Sequence, residues 1–512
     1  MDIRTLKNEN NAIEYKKCSV DLPSSFWETY SSFANTNDGF IILGVEEQKN
    51  GGLNIIGIEN VDKIIKDIFN IASNKQKVSR NVLNNDSVKV ETIDGKNIII
   101  VEVKELPADK KPLYLKNNPN FSYIRRHEGD YLATDEEVRS LMRNANDNID
   151  NELLKNYTID DLDIESIYIF KSLVQKRDAN VDYMNMDNLS FLTRMGVFHT
   201  DRNNERKNLL TLGGLLFLGK YEAIISFIPS YHLDYFNKKG TTERWKDRVA
   251  TGELTYPDLN ILKYYLIVLE KLTATIEEPF ALDDKLQRKS SAELSGALRE
   301  ALVNMLIHAD YFDTNSASFV EVHDTYYIFS NPGAMKITKR EFFIGGKSRP
   351  RNNILTTLFR LIGASERAGT GGPKIFDVVT KNKFRIPEME LSINKTVLKL
   401  WMAEIKDSYP ELSENAQKLM KVFFDENNQL IEYTSKQLAD KTGLSRYYLG
   451  LALNELEERL LILKSGQYKS TKYTRAITSI EMLDAFSKTY RKIEQMLAKE
   501  SLKKSNNNED IK

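Results

Sequence analysis

Three short elements in a fixed order constrain this chain more than anything else in it. They are Glu300-Ala301-Leu302-Val303-Asn304, then Ser330-Asn331-Pro332-Gly333, then Gly369-Thr370-Gly371-Gly372. A capping-box spacing at Ser290-Ser291-Ala292-Glu293 opens a helix expected to run to about His308. Residues four apart on a helix share a face, so the Glu300 carboxylate and the Asn304 carboxamide project together, while Leu298, Leu302 and Leu306 pack elsewhere. The second element follows a predicted strand, and Gly333 lets its backbone approach a ligand closely. The third precedes a predicted helix over 374–379, and a glycine-rich loop opening a helix offers backbone N–H groups to phosphates. A lone Glu-x-x-x-Asn pair is usually a solvated helix face. The ordered trio is what points to one concave site. There the amide oxygen of Asn304 could ligate Mg2+, and Glu300 could orient or deprotonate a water aimed at a γ-phosphate.

In that order the elements resemble the N box and the two glycine boxes of GHKL ATPases, the gyrase, histidine kinase and MutL group. More narrowly, LREALVNMLIHADY at 298–311, SNPG at 330–333, Arg351-Asn352-Asn353 and the 366–372 loop resemble the ATPase module named for RecG, over about 210–405. The resemblance implies a GHKL (Bergerat) α/β sandwich that binds ATP with Mg2+. It makes Glu300 the general base and Asn304 the metal ligand, with Asn331, Gly333, Gly369, Thr370, Gly371 and Gly372 around the nucleotide. An acidic residue in the first glycine box usually reads the adenine amino group; Asn331 stands there in this chain. His308 and Asp310 belong to the matching motif. No phosphate loop ending in Lys-Ser/Thr and no helicase motor motif occurs in the sequence, so the likeness to RecG implies no translocating helicase.

The chain has 512 residues, too many for one core, since single cores stop growing near about 250–300 residues. The reading is α/β and α+β multidomain: an α/β domain at 1–145, a linker and middle α/β region at 146–285, the nucleotide module at 286–407, a helix-rich unit at 408–478, and an amphipathic helix with a polar tail at 479–512. Apolar strands are expected in the middle region over 209–218 and 224–236. Net charge is −1, so any nucleic-acid contact must come from local patches. One cysteine, Cys18, excludes an intramolecular disulfide framework and a cysteine-based zinc cluster. The absence of a signal-like N-terminus and of any apolar run near 20 residues leads to the expectation of a cytoplasmic protein without membrane partners.

Near the N-terminus, Glu14 and Lys16 sit two apart on a predicted strand and so share a face; Glu9 precedes them, and Glu46 ends the apolar run 40–45. Three carboxylates and a lysine converging on a cleft could hold one or two divalent metals (Mg2+ or Mn2+) and cleave a phosphodiester, with Lys16 offsetting charge on the phosphate. The run 9–16, Ser32-Phe33-Ala34-Asn35-Thr36, Asp38-Gly39, Gly44-Val45-Glu46 and Tyr123-Ile124-Arg125-Arg126 resembles the Schlafen AlbA-like domain over about 140 residues. In animal Schlafens two glutamates and an aspartate cut transfer or ribosomal RNA. The matching positions are Glu9, Glu14 and Glu46, with Glu in place of Asp at the last. In many bacterial relatives the domain is held only to bind DNA. Arg125 and Arg126 would supply phosphate contacts.

The 414–475 region reads as three helices and a hairpin, and it resembles a winged helix-turn-helix. Arg446 and Tyr447 would open the recognition helix, and Lys464, Lys469, Lys472 and Arg475 would lie on the wing. Three readings stay open. One is an ATP-gated effector that cuts RNA or DNA, as a bacterial anti-phage system needs. Another is an ATP-responsive DNA-binding regulator without nuclease activity, and the last is an interaction scaffold with a degenerate ATP site. Homo-oligomers are expected, from GHKL habit and the apolar stripe of 480–497.

Overall fold

The computed structural model describes residues 11–48, 52–146, 148–202, 207–241, 243–276, 291–346, 348–365, 369, 371–382, 384–403, 408–424, 430–466 and 471–476. Glu9, Thr370, Lys469 and the expected helix at 479–512 lie outside them. Three separate large apolar cores organise these residues. They run from Cys18 to Leu115, from Leu154 to Leu400 and from Leu412 to Ile462.

The first core lies between a four-stranded sheet and two helices. Sheet order is Ile13–Lys16, Gly39–Leu43, Lys96–Val103, Val88–Ile93, with the first pair parallel and the others antiparallel. The Asp-Gly hairpin forms as expected, because Asp94 (φ 49°) and Gly95 (φ 77°) both take the left-handed conformation such a turn demands. The expected apolar run 40–45 breaks at Gly44 (φ 90°), and a short antiparallel pair, Val45–Glu47 with Leu53–Ile55, continues beyond it. Helix Ser25–Thr36 buries Phe26, Tyr30, Phe33 and Ala34 against the sheet. Thr134 and Glu137 form the capping box that starts helix Asp135–Ala145.

The expected strand at 209–218 is half wrong. Lys207–Thr211 is a strand, but Leu212–Leu218 is helical and Tyr221–Phe227 follows as a second helix. The Thr211 hydroxyl caps the turn by accepting from Gly214 N at 3.0 Å. Gly213 lies so close to Ile354 that a Cβ there would meet the Ile354 Cβ at 2.5 Å. Tertiary packing therefore overrides the strand character of an apolar run.

A six-stranded sheet carries the central core, in the order Asp247–Ala250, Leu233–Asn237, Ser318–Val322, Tyr326–Pro332, Lys395–Trp401, Glu388–Leu391. Only Leu233–Asn237 and Ser318–Val322 run parallel. Helix Ser291–His308 lies on this sheet, between helices Ile261–Thr275 and Gly371–Lys381. The boundary drawn near 285 thus separates no cores, since strands from both sides of it share one sheet. The last core joins helices Glu414–Phe423, Ser435–Thr442 and Arg446–Glu458 to a small sheet of Tyr433–Thr434, Lys472–Arg475 and Ile462–Ser465.

Candidate functional site

One pocket gathers most of the residues singled out in the centre of the sequence. Glu300 and Asn304 line it from helix Ser291–His308, Asn331 from strand Tyr326–Pro332, and Gly369, Gly371 and Gly372 from the loop that opens helix Gly371–Lys381. The spacing argument holds in detail: Asn304 Nδ2 donates to Glu300 Oε1 at 3.2 Å across one helical turn. The glycine loop meets that pair directly. A Cβ on Gly371 would collide with the Glu300 carboxylate and lie 3.0 Å from Asn304 Nδ2, so any larger residue here would displace the ends of those two side chains.

Asn331 is buried and directly opposite Thr396 in the sheet, so both side chains leave the same face, and both line the pocket. Asn331 Nδ2 donates to Pro332 O at 3.0 Å. Thr396 Oγ1 donates to Gly333 O at 2.9 Å and Gly333 N donates to Asn394 O at 2.7 Å, fixing the turn. Gly333 itself is not a lining residue. Its φ of 97° lets it pass the Arg351 guanidinium, which a Cβ would meet at 2.6 Å. Arg351 and Asn352 are structural. Arg351 Nε donates to His308 O, its Nη2 donates to Ala334 O, and Asn352 Nδ2 donates to Ile307 O and Ala309 O. Together they tie the end of the Glu300 helix to the turn beyond Asn331.

Sequence reasoning missed Phe329, Met335, Ile337 and Leu398 on the apolar part of the wall, and Lys336, Arg349 and Thr396 on the polar part. Strand alternation could have found Phe329 and Leu398; nothing local marks Arg349. The Gly345-Gly346 pair was also passed over, though such a dipeptide signals a turn. Gly346 N donates to Gly369 O at 3.1 Å and joins this segment to the glycine loop. His308 also lines the pocket. Burial, with Arg351 and Lys336 nearby, pushes its imidazole down to about 4, so it is neutral at pH 7.

The N-terminal residues are placed differently. Glu14 is buried, with Oε1 accepting from Lys16 Nζ at 2.6 Å and Oε2 paired with Arg125 Nη1 at 2.8 Å. Arg125 also reaches Asp130 at 2.9 Å and lies over the Phe33 ring. This corrects one expectation. Arg125 does not present itself to phosphate, because its side chain is fully enclosed and neutralised by two carboxylates. Arg126 is nearly half exposed and pairs with Glu137 at 2.7 Å. Glu46 is partly exposed and lies 3.4 Å from Lys17. Among the described residues, no group of three or more His, Cys, Asp or Glu side chains could hold a metal ion. Glu9, the third carboxylate expected beside Glu14 and Glu46, lies outside the described residues.

Family models account for much of this arrangement. Residues 9–134 match Schlafen, AlbA_2. Residues 319–400 match HATPase_c_4, the family named for the C-terminal region of the DNA helicase recG. The chain joins a Schlafen AlbA_2 domain to a recG C-terminal ATPase-like domain. Between them, 139–234 match DUF8451, a domain of unknown function. The ATPase-like match begins after Glu300 and Asn304, which therefore rest on their geometry. Among solved structures, a Corynebacterium diphtheriae protein aligns over 91% of this chain and 95% of its own, at 13% identity and a TM-score of 0.38. The N-terminal domain of a RecG-related protein from Nitrosomonas europaea aligns over 26% of this chain and 89% of its own, at 24% identity and a TM-score of 0.20. No curated protein matches.

Helix Asp135–Ala145, which follows the AlbA_2 match, touches the central core at two places. Arg143 Nε donates to the buried Asp310 at 2.7 Å, and Ser140 and Asn144 donate to Ile393 O. At the C-terminal end, Arg446, Tyr447 and Tyr448 stand exposed at the start of their helix, the two tyrosines at 70% and 53%. Lys464 is exposed, whereas Lys472 is held by Glu432 at 2.8 Å. Arg475 corrects a second expectation: it is buried and lies over Phe424, so it serves the core and not a phosphate. Glu455 accepts from Ser413 N and Oγ, which gives it a structural partner. Among the described residues, no helix is long and apolar enough to cross a membrane.

Proposed function

We propose that this protein is an ATP-binding switch that acts on nucleic acid, with its terminal domains engaging RNA or DNA. The carrying observation is the convergence of Glu300, Asn304, Asn331, Gly369, Gly371 and Gly372 on one pocket, with Gly371 against the Glu300–Asn304 pair. Asn304 would hold Mg2+ through its amide oxygen, and the metal would neutralise phosphate charge. Glu300 would orient a water. Asn331, whose Nδ2 is spent on Pro332 O, keeps its Oδ1 to accept from the adenine amino group. The apolar side chains of Phe329, Met335 and Leu398 suit a base ring. The test is calorimetry and thermal unfolding with MgATP. At 100 times its Kd a ligand stabilises by about 2.7 kcal/mol. No stabilisation by ATP would overturn the reading.

A second reading, metal-dependent cleavage by the N-terminal domain, draws on Glu14 and Lys16 meeting at 2.6 Å on one face of a buried strand. Transfer RNA, single-stranded DNA and duplex DNA, incubated with Mg2+ or Mn2+ and with or without ATP, decide it. Cleavage lost in Glu14→Ala while binding persists supports the nuclease. No cleavage of any substrate leaves a DNA-binding regulator, for which the exposed Arg446–Tyr447 helix start offers the contact surface.

A further inference from the structure

Two cations on the pocket wall, Lys336 and Arg349, belong to no motif, and both reach out of the pocket to the N-terminal half of the chain. Lys336 Nζ donates to Asn146 O at 2.8 Å. Arg349 Nη1 donates to Asp109 Oδ1 at 3.0 Å. Asp109 sits on the 3-10 turn Ala108–Lys110, and that turn packs against helix Asp135–Ala145, the helix that also carries Arg143. All three contacts therefore come from this turn and the helix packed on it, at and just beyond the end of the AlbA_2 match.

They differ in strength. Arg143 meets a carboxylate with no solvent exposure, and Lys336 is 9% exposed. The Arg349–Asp109 pair is open to water, at 29% and 37% side-chain exposure. An exposed pair is weak and screened by salt, so it is the contact that can yield. Arg349 is also the group a polyanion in the pocket would draw on most readily.

We propose that Arg349 is a nucleotide-contacting residue for which ATP and Asp109 compete, so that occupancy of the pocket loosens the Asp109 latch while Arg143 and Lys336 keep the domains joined. This rests on the ATP reading above. Linkage then requires the reciprocal effect: weakening the latch must favour nucleotide. Calorimetric titration of wild type, Asp109→Asn and Arg349→Gln with the Mg2+ complex of a non-hydrolysable ATP analogue tests it, with amide exchange read over 105–112. Asp109→Asn is expected to tighten binding by about two- to fivefold, the range to which an exposed ion pair converts, and the gain should shrink as salt rises. Arg349→Gln should weaken binding, and the analogue should speed exchange over 105–112 in wild type. If wild type binds the analogue but Asp109→Asn binds it equally and exchange does not change, the latch is overturned and the ATP pocket stands. If wild type does not bind it, the pocket reading itself fails, and this inference with it.

Discussion

Removing Arg143 should damage this protein more than any other single change at the junction between its domains. Its guanidinium donates to Asp310 Oδ2 at 2.7 Å and to Glu136 Oε1 at 2.8 Å, and it lies 3.9 Å from Asp313. Asp310 and Asp313 have no side-chain exposure, so Arg143→Ala would leave two carboxylates facing each other without their cation. Burial and the neighbouring Asp310 already push the Asp313 carboxyl upward. Stripping the partner from a buried charge costs about 3–5 kcal/mol. Because Arg143 keeps 20% exposure, water recovers part of that, and about 2–3 kcal/mol is expected. The assay is urea unfolding followed by fluorescence, with Trp27 against the first core, Trp245 against the Phe236 ring and Trp401 on the central sheet as reporters. In a double-mutant cycle, Asp310→Asn should rescue Arg143→Ala by about 1–2 kcal/mol, since the neutral amide has no charge to strand. A loss under about 0.5 kcal/mol, or a cycle with no coupling, would refute the argument that this ion pair joins the domains.

Gly371→Ala places a methyl group against Glu300 and Asn304, so MgATP should no longer raise the melting temperature while the free protein still folds. Asp150 is buried, and burial raises its carboxyl to about 6 although Leu355, Ile354 and Asn353 donate backbone N–H groups to it. The native state holds this proton to higher pH than the unfolded chain, so stability from this group is full at low pH and falls between about pH 4 and 6, by up to about 3 kcal/mol. Asp150→Asn should therefore melt above wild type at pH 7, with the gap closing by pH 4; a constant gap is the failing result. In a nucleic-acid binding titration, Lys464→Ala should reduce the salt slope by about 1. Arg475→Ala should lower stability and leave that slope alone, because the side chain is buried over Phe424.

The parts of the site that the sequence disclosed are those whose logic is local. Glu300 and Asn304 share a helix face, Asp94-Gly95 makes a hairpin, and Thr134 with Glu137 caps a helix, all within four residues. What stayed hidden depends on distant chain. Arg349 and Lys336 line the pocket only because residues 335–337, 342 and 348–349 lie along its wall. Arg125 reads as a surface cation until Glu14, more than a hundred residues away, closes over it. The 212–218 run is apolar enough for a buried strand or a buried helix, and its close packing on Ile354 decides for helix.

The shared six-stranded sheet bears on how this protein can be taken apart. The DUF8451 match ends at 234, inside strand Leu233–Asn237, and the ATPase-like match starts at 319, inside the strand paired with it. A fragment cut anywhere between would bare the backbone of Ser318–Val322 along one side, a sticky edge with alternating buried positions and no partner. Recombinant pieces beginning near 286 should aggregate, and pieces that retain 233–250 should not. The inherited sequence units and the physical folding unit are therefore out of step, and the smallest piece that can carry the central pocket begins well before the residues that line it.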